Sequence, residues 1–171
     1  ALDSEATGVP EAEIREKMAS RAADMARCTE EARANAKGGL LVACDGGKLR
    51  AWLDKDPYSG PFVMHACAAA VEIATYNAVM GRIVAAPTAG SCGILPGLLF
   101  AWKELYGRED ADEKITDALI VAAAFGEVVA SRATLAGAEG GCQAECGAAA
   151  AMGAAALAWL RGGSGEACAA A

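Results

Sequence analysis

The sequence predicts an all-α fold, a compact multi-helix domain, and three observations carry that prediction. Apolar residues make up 54% of the 171 positions but aromatics only 5%, so the hydrophobicity is mostly alanine, with some valine, leucine and isoleucine. Alanine has the highest helix propensity, and its small side chain lets helices pack closely. The alternation of branched and polar residues that marks a half-buried strand is nearly absent. Glycines and prolines interrupt the apolar stretches at helix-length intervals. Residues 1–171 are long enough to enclose one core and read as a single domain.

The first helix is expected from about Pro10 to Lys37. Pro10 suits a first helical position, Glu11 and Glu13 favour the positive end of the helix dipole, and Gly38-Gly39 stops it. Ile14, Met18, Ala22, Met25 and Ala32 form its apolar face. A glycine-interrupted stretch follows from Leu40 to Gly47, then a short amphipathic segment with Leu49, Trp52 and Leu53. Asp56-Pro57-Tyr58-Ser59-Gly60 makes a turn. A second long helix spans Pro61 to Gly81. After Arg82-Ile83-Val84-Ala85-Ala86-Pro87 comes the small-residue loop Thr88-Ala89-Gly90-Ser91-Cys92-Gly93, and then a helix from Ile94 to Tyr106.

Asp110 is placed to cap the next helix, which carries Asp112 and Glu113 in its first turn and runs to about Ala136. Gly137-Ala138-Glu139-Gly140-Gly141 reads as a second flexible loop. Cys142 then opens an alanine-rich helix reaching Leu160. Gly162-Gly163 breaks it, and Ser164 with Glu166 begins another. Because an isolated helical turn is unstable, an ending at Ala171 suggests a truncated polypeptide.

Charge and cysteine usage exclude several classes. A net charge of −7 and an isoelectric point near 4.8 argue against nucleic acid, whose phosphates need a basic face. The uncharged run from Ile83 to Trp102 is long enough to span a bilayer. It holds Pro87, Thr88, Gly90, Ser91, Gly93 and Pro96 in its middle, however, and reads as a buried connection between helices. No membrane span is expected. Seven cysteines, an odd number without a recognisable secretion signal, fit a reduced cytoplasmic protein better than a disulfide scaffold.

Two segments combine glycines with groups able to bind small anions. In Thr88-Ala89-Gly90-Ser91-Cys92-Gly93 the glycines let backbone N–H groups approach a ligand, and the next helix adds its positive end. A carboxylate or a phosphate would suit such a loop, which also serves as a plain connection in many proteins. The glycine spacing and Lys-Ser/Thr of a P-loop are missing. In Gly137-Ala138-Glu139-Gly140-Gly141-Cys142-Gln143-Ala144-Glu145-Cys146-Gly147, Cys142 stands at a helix start, where the dipole favours thiolate. Cys146 follows one turn later. A Cys-x3-Cys pair without a Cys-x2-Cys companion matches neither a zinc nor a ferredoxin pattern. Spacing alone leaves metal ligation and simple packing both open.

Other catalytic templates fare worse. His65 is the only histidine and lies on an apolar helix beside Ala66, Cys67 and Ala68, a setting typical of a packed side chain. There is no Gly-x-Ser-x-Gly elbow. None of the lysines has the apolar, glycine-flanked setting of a Schiff base with pyridoxal phosphate, so that cofactor is not expected.

The block from Asn77 to Gly97, with Gly81-Arg82 and Pro87-Thr88-Ala89-Gly90-Ser91-Cys92-Gly93 inside it, resembles the central motif of the iron–sulfur-dependent L-serine dehydratase alpha chain. Gly137 to Gly147 resembles the cluster-binding segment of the same family. The resemblance runs from about Glu11 to the C-terminus and is densest in these two blocks. It implies an all-helical catalytic domain whose two glycine-rich loops meet at the active site, with a 4Fe-4S cluster held by three cysteines. The family's Gly-Cys-Gln cysteine maps to Cys142. Its other two ligands belong to Cys-Asp-Pro and Pro-Cys-Ile motifs that do not occur here, so they are expected beyond Ala171 and the cluster can be absent from this fragment, which alone would be inactive. Cys92 and Cys146 are then neighbours of the cluster. The family's Ser-Gly-Leu-x-Gly-Gly-Asp pattern has diverged at Leu41-Val42-Ala43-Cys44-Asp45-Gly46-Gly47, and no role is carried onto it.

The reaction that the resemblance implies is β-elimination of water from L-serine, with a free iron as Lewis acid and pyruvate and ammonia as final products. Thr88, Ala89, Gly90 and Ser91 are the candidates to hold the substrate carboxylate, with Asn77 nearby. Glu139, Glu145 and His65 are candidates for the base, which can instead belong to the beta chain or fused beta domain that the family pairs with this one. An oligomer is expected. A cysteine desulfidase using a similar cluster is the rival enzyme, and a non-catalytic helical module is the rival outside catalysis.

Overall fold

The computed structural model describes residues 5, 7–35, 39, 42–43, 45–53, 55 and 58–171. Among these the regular elements are all helices, and there is no strand. In chain order the helices are α1 (Glu11–Ala34), α2 (Gly46–Arg50), α3 (Gly60–Ala78), α4 (Ile94–Tyr106), α5 (Ala111–Arg132), α6 (Gly137–Cys142), α7 (Ala148–Leu160) and α8 (Gly165–Ala170). A 3₁₀ turn, Ala89–Ser91, precedes α4, and a π turn, Gln143–Gly147, joins α6 to α7. The expected helix end at Lys37-Gly38, the residues Leu40, Leu41 and Cys44, and the Asp56-Pro57 half of the expected turn lie outside the described residues.

The helices pack as two close pairs, α3 with α4 and α5 with α7, with α1 laid across α3 and α5. The main core joins Leu95, Leu99 and Trp102 of α4 to Ile115, Leu119 and Ala122 of α5, Met152 and Ala156 of α7, and Met25 of α1. A second cluster of Cys28, Ala32, Ile73 and Cys92 lies between α1 and α3, under the 3₁₀ turn. Small residues set the spacing. A Cβ at Gly93 would lie 2.4 Å from the Ala70 carbonyl oxygen and one at Gly97 2.8 Å from that of Ala66, so α4 enters against the backbone of α3. Gly153 of α7 leaves room for the Leu98 side chain, and Gly126 of α5 for that of Met152.

Several boundaries depart from expectation. The fifth helix stops at Arg132 instead of Ala136, because Ala133 turns extended. Asp110 sits at the N-cap position but makes no side-chain cap; its carboxylate pairs with Lys114 at 3.0 Å, one turn on. Gly137–Gly141 is a short helix and not a flexible loop. The break falls at Gly141 alone, whose φ of 65° and ψ of −166° restart the chain at Cys142, so helical backbone does run from Cys142 to Leu160 with a π turn near its start. The last helix forms where expected, with Ser164 Oγ accepting from the Ala167 N–H at 3.2 Å. The uncharged stretch from Ile83 is irregular up to Thr88 and helical only from Ala89, and among the described residues no single helix is long and apolar enough to cross a membrane.

One buried ion pair anchors α2 to α3. Glu72 is 4% exposed and its two oxygens accept from Arg50 Nε at 2.8 Å and Nη2 at 2.7 Å. Such a two-point pair satisfies a carboxylate that burial would otherwise strand. Arg50→Ala should cost about 3–5 kcal/mol of unfolding free energy, the usual result of leaving one buried partner unpaired. Chemical denaturation measures it, and a loss below about 1 kcal/mol, the range of a surface pair, would show that Glu72 is not stranded.

Candidate functional site

Two segments that lie far apart in sequence meet at one carboxylate. The 3₁₀ turn Ala89–Ser91 is held from the α3 side by Asn77, whose Nδ2 donates to the Ala89 carbonyl at 3.2 Å. Beneath it, Ser91 is 2% exposed and its hydroxyl lies 3.3 Å from the carbonyls of Ala86 and Thr88. The Ala86–Pro87 peptide is cis. With the turn built this way, Ala89 and Gly90 are exposed, and their N–H groups have no hydrogen-bond partner among the described residues. They are donors available to an anion, at a turn that feeds directly into the N-terminus of α4.

The second segment arrives through Glu145. Thr88 Oγ1 donates to Glu145 Oε1 at 2.8 Å. The same carboxylate lies flat on two glycines: a Cβ at Gly90 would stand 2.9 Å from either oxygen, and one at Gly137 2.7 Å from Oε2. A side chain at either position would displace the Glu145 carboxylate from this place, so glycine at both lets it rest against the backbone. Glu145 is half-buried on the π turn, a helical irregularity that often marks functional segments. Three residues before it, Cys142 is exposed just after the Gly141 break.

The candidates therefore divide. Asn77, Thr88, Ala89, Gly90, Ser91 and Glu145 form one constellation, in which Asn77 and Ser91 shape the turn while Ala89 and Gly90 present donors. Cys142 adjoins it through the π turn. Glu139 is exposed on α6 and makes no side-chain hydrogen bond or ion pair among the described residues. His65 stands apart: it lies on α3 twelve residues before Asn77, about 18 Å along the helix axis at the usual rise. Its Nδ1 is 3.3 Å from Glu104 Oε2, off the line of a hydrogen bond, and Arg33 Nη2 approaches the same oxygen at 3.2 Å. Burial pushes the Glu104 pKa up, but the His65 ring and the Arg33 guanidinium outweigh it and hold the carboxylate below its ordinary range. Gly137 was not singled out by residue type; its signal was its position at the head of a glycine-rich segment.

The cysteines also separate by environment. Cys28, Cys92 and Cys168 are buried, whereas Cys67, Cys142 and Cys146 are exposed. Burial, with Cys28 adding to it, pushes the Cys92 thiol up to about 11, so it stays protonated near neutrality.

These features define a class: an all-helical domain in which a carboxylate ties an exposed turn with two unpartnered N–H groups to a helix start bearing an accessible thiol. The chain belongs to the serine dehydratase alpha chain family, whose model matches residues 2–171. It is 45% identical over 127 residues to a probable L-serine dehydratase alpha chain of Bacillus subtilis, covering 74% of this chain and 42% of that protein. It is 49% identical over 107 residues to the L-serine dehydratase alpha chain of Peptoniphilus asaccharolyticus, covering 63% and 36% respectively. An L-serine dehydratase of Escherichia coli, TdcG, is 41% identical over 95 residues, with 56% and 21% covered. The chain thus spans less than half the length of these curated relatives. No solved structure matches it.

The split among the thiols is directly measurable. In the native protein at pH 8, iodoacetamide should label Cys67, Cys142 and Cys146 and spare Cys28, Cys92 and Cys168 until denaturant is added. Peptide mass spectrometry reads the labels; native labelling of Cys92 as fast as Cys142 would contradict the burial described.

Proposed function

We propose that this chain is the substrate-loop portion of an L-serine dehydratase alpha chain, which converts L-serine to pyruvate and ammonia by β-elimination. The observation that carries the proposal is the Thr88–Glu145 hydrogen bond, because it joins the anion-binding turn to the segment that bears Cys142. The names of the relatives support the choice of serine over cysteine, and the alpha-chain name supports a beta chain or fused beta domain as partner.

The exposed thiol of Cys142, next to a glycine that leaves its surroundings open, suits a ligand of a 4Fe-4S cluster. The buried, protonated Cys92 does not suit that role. Among the described residues no group of three or more His, Cys, Asp or Glu side chains is placed to hold a metal, so Cys142 would be one ligand and the rest of a longer polypeptide would supply the others. When bound, the cluster supplies a Lewis-acidic iron that polarises the C–O bond to be broken.

The residues of this chain bind and orient. The N–H groups of Ala89 and Gly90 receive the substrate carboxylate, assisted by the N-terminal end of α4. Asn77 and Ser91 keep the turn in the shape that presents those donors. The elimination removes the α-proton and the β-hydroxyl as water, leaving aminoacrylate, which hydrolyses to pyruvate and ammonia. With His65 distant and Glu145 assigned to binding, the α-proton goes to a group outside this segment, on the rest of the alpha chain or on the beta chain or beta domain.

The test uses the full-length enzyme reconstituted anaerobically with iron and sulfide. A brown, oxygen-labile protein should form pyruvate from L-serine, and Cys142→Ala should lose both colour and activity with its helical circular dichroism intact. A variant that keeps the cluster absorbance would refute the ligand assignment. Sulfide from L-cysteine without pyruvate from L-serine would indicate a desulfidase, and a colourless protein a non-catalytic module.

A further inference from the structure

We infer that Glu145 is the residue that recognises the substrate's ammonium group, so that the site selects α-amino acids over the corresponding acids without an amino group. This rests on the reading of Thr88–Gly90 as the carboxylate-binding turn and adds a specificity determinant to it.

The argument begins from an imbalance around the Glu145 carboxylate. A carboxylate accepts about four hydrogen bonds, and here Oε1 takes one, from Thr88 at 2.8 Å. Oε2 has no hydrogen-bond donor and neither oxygen has a cationic partner among the described residues, although the side chain is half-buried. Its immediate surroundings are the bare backbone of Gly90 and Gly137. A partly desolvated anion in that condition calls for a cation. Within the same few ångströms, the N–H groups of Ala89 and Gly90 call for an anion. An α-amino acid is a small molecule that answers both, because its carboxylate and ammonium are carried on one carbon.

The arrangement also explains why the carboxylate is brought so near an anion-binding turn. Left alone, Glu145 would repel any ligand carboxylate at Ala89-Gly90. With an ammonium between the two the repulsion becomes attraction, and a ligand lacking the amino group meets it uncompensated. Thr88 acts here as a positioning residue: its hydroxyl holds Oε1, which aims the remaining acceptor sites of the carboxylate at the turn.

The experiment measures dissociation constants of L-serine and of 3-hydroxypropanoate, the same acid without the amino group, on the full-length cluster-bearing enzyme and on E145Q and E145D. Wild type should prefer L-serine. E145Q should weaken L-serine by roughly tenfold or more, the scale of a lost charge-assisted bond, while leaving 3-hydroxypropanoate unchanged or tighter. E145D, which keeps the charge, should recover part of the preference. The ratio of the two constants within each variant cancels any general loss of active protein. If E145Q weakens both ligands alike, Glu145 merely holds the fold together and the inference fails. It fails also if L-serine binds E145Q as tightly as wild type while kcat collapses, the outcome for a proton acceptor. Wild-type enzyme that binds neither ligand would overturn the carboxylate-turn reading itself.

Discussion

The structure depends on how closely the backbones of α3 and α4 approach. Gly93 and Gly97 lie one turn apart on α4 and its cap, and each faces a carbonyl of α3, at Ala70 and Ala66. An added methyl at either would overlap an oxygen that cannot move without moving a helix. The contact therefore locks the start of α4 against a chosen stretch of α3. Once it is locked, the 3₁₀ turn immediately before α4 has one place to be, within reach of Asn77 at the end of α3. An alanine-rich core makes this possible, because it lets helices settle at separations set by backbone instead of by bulky side chains.

From that anchor the site assembles with several close approaches made possible by glycine. Packing of α7 on α5 and α4 brings the second segment over the turn, with Gly126 making room for Met152 between α5 and α7 and Gly153 for Leu98 between α7 and α4. Gly141 supplies the left-handed residue at which the chain changes direction before Cys142. Gly90 and Gly137 leave the space filled by the carboxylate of Glu145. The result is a polar constellation supported from below by buried aliphatic residues and by Cys28, Cys92 and Ile73. Chemistry-bearing groups are exposed above, while groups of the same type in the core are silenced by burial, as the contrast of Cys92 with Cys142 shows.

The ion pairs divide along the same line. Arg50 with Glu72, and Arg33 with Glu104 and His65, belong to the interfaces among α1, α2, α3 and α4, away from the turn. They orient helices. The lone histidine, attractive as a base on chemical grounds, belongs to this structural group. Glu145 differs from every one of them in having a hydroxyl and no cation as its partner among the described residues. That difference, at a half-buried carboxylate beside the turn, is what the proposal of an ammonium contact rests on.

Much of this was legible in the residues alone. Alanine content and the spacing of glycines and prolines determined that the chain is helical, and Gly107, Gly162 and Ser164 placed breaks and starts that hold in three dimensions, because capping and helix propensity act over a few residues. The two blocks that resemble the family are local patterns as well, and they pointed to the same segments that the fold brings together. Asp110 and Gly137–Gly141 depart from local preference where neighbours intervene: the Asp110 carboxylate pairs with Lys114, and the glycine-rich stretch is helical where Gly140 comes close to Ala144 and Thr134. What only the tertiary structure decided is which carboxylate meets the turn. Thr88 and Glu145 are 57 residues apart, and no periodicity or spacing encodes a hydrogen bond between them. That contact follows from where whole helices come to rest, a property of close packing throughout the core and of no single stretch of chain.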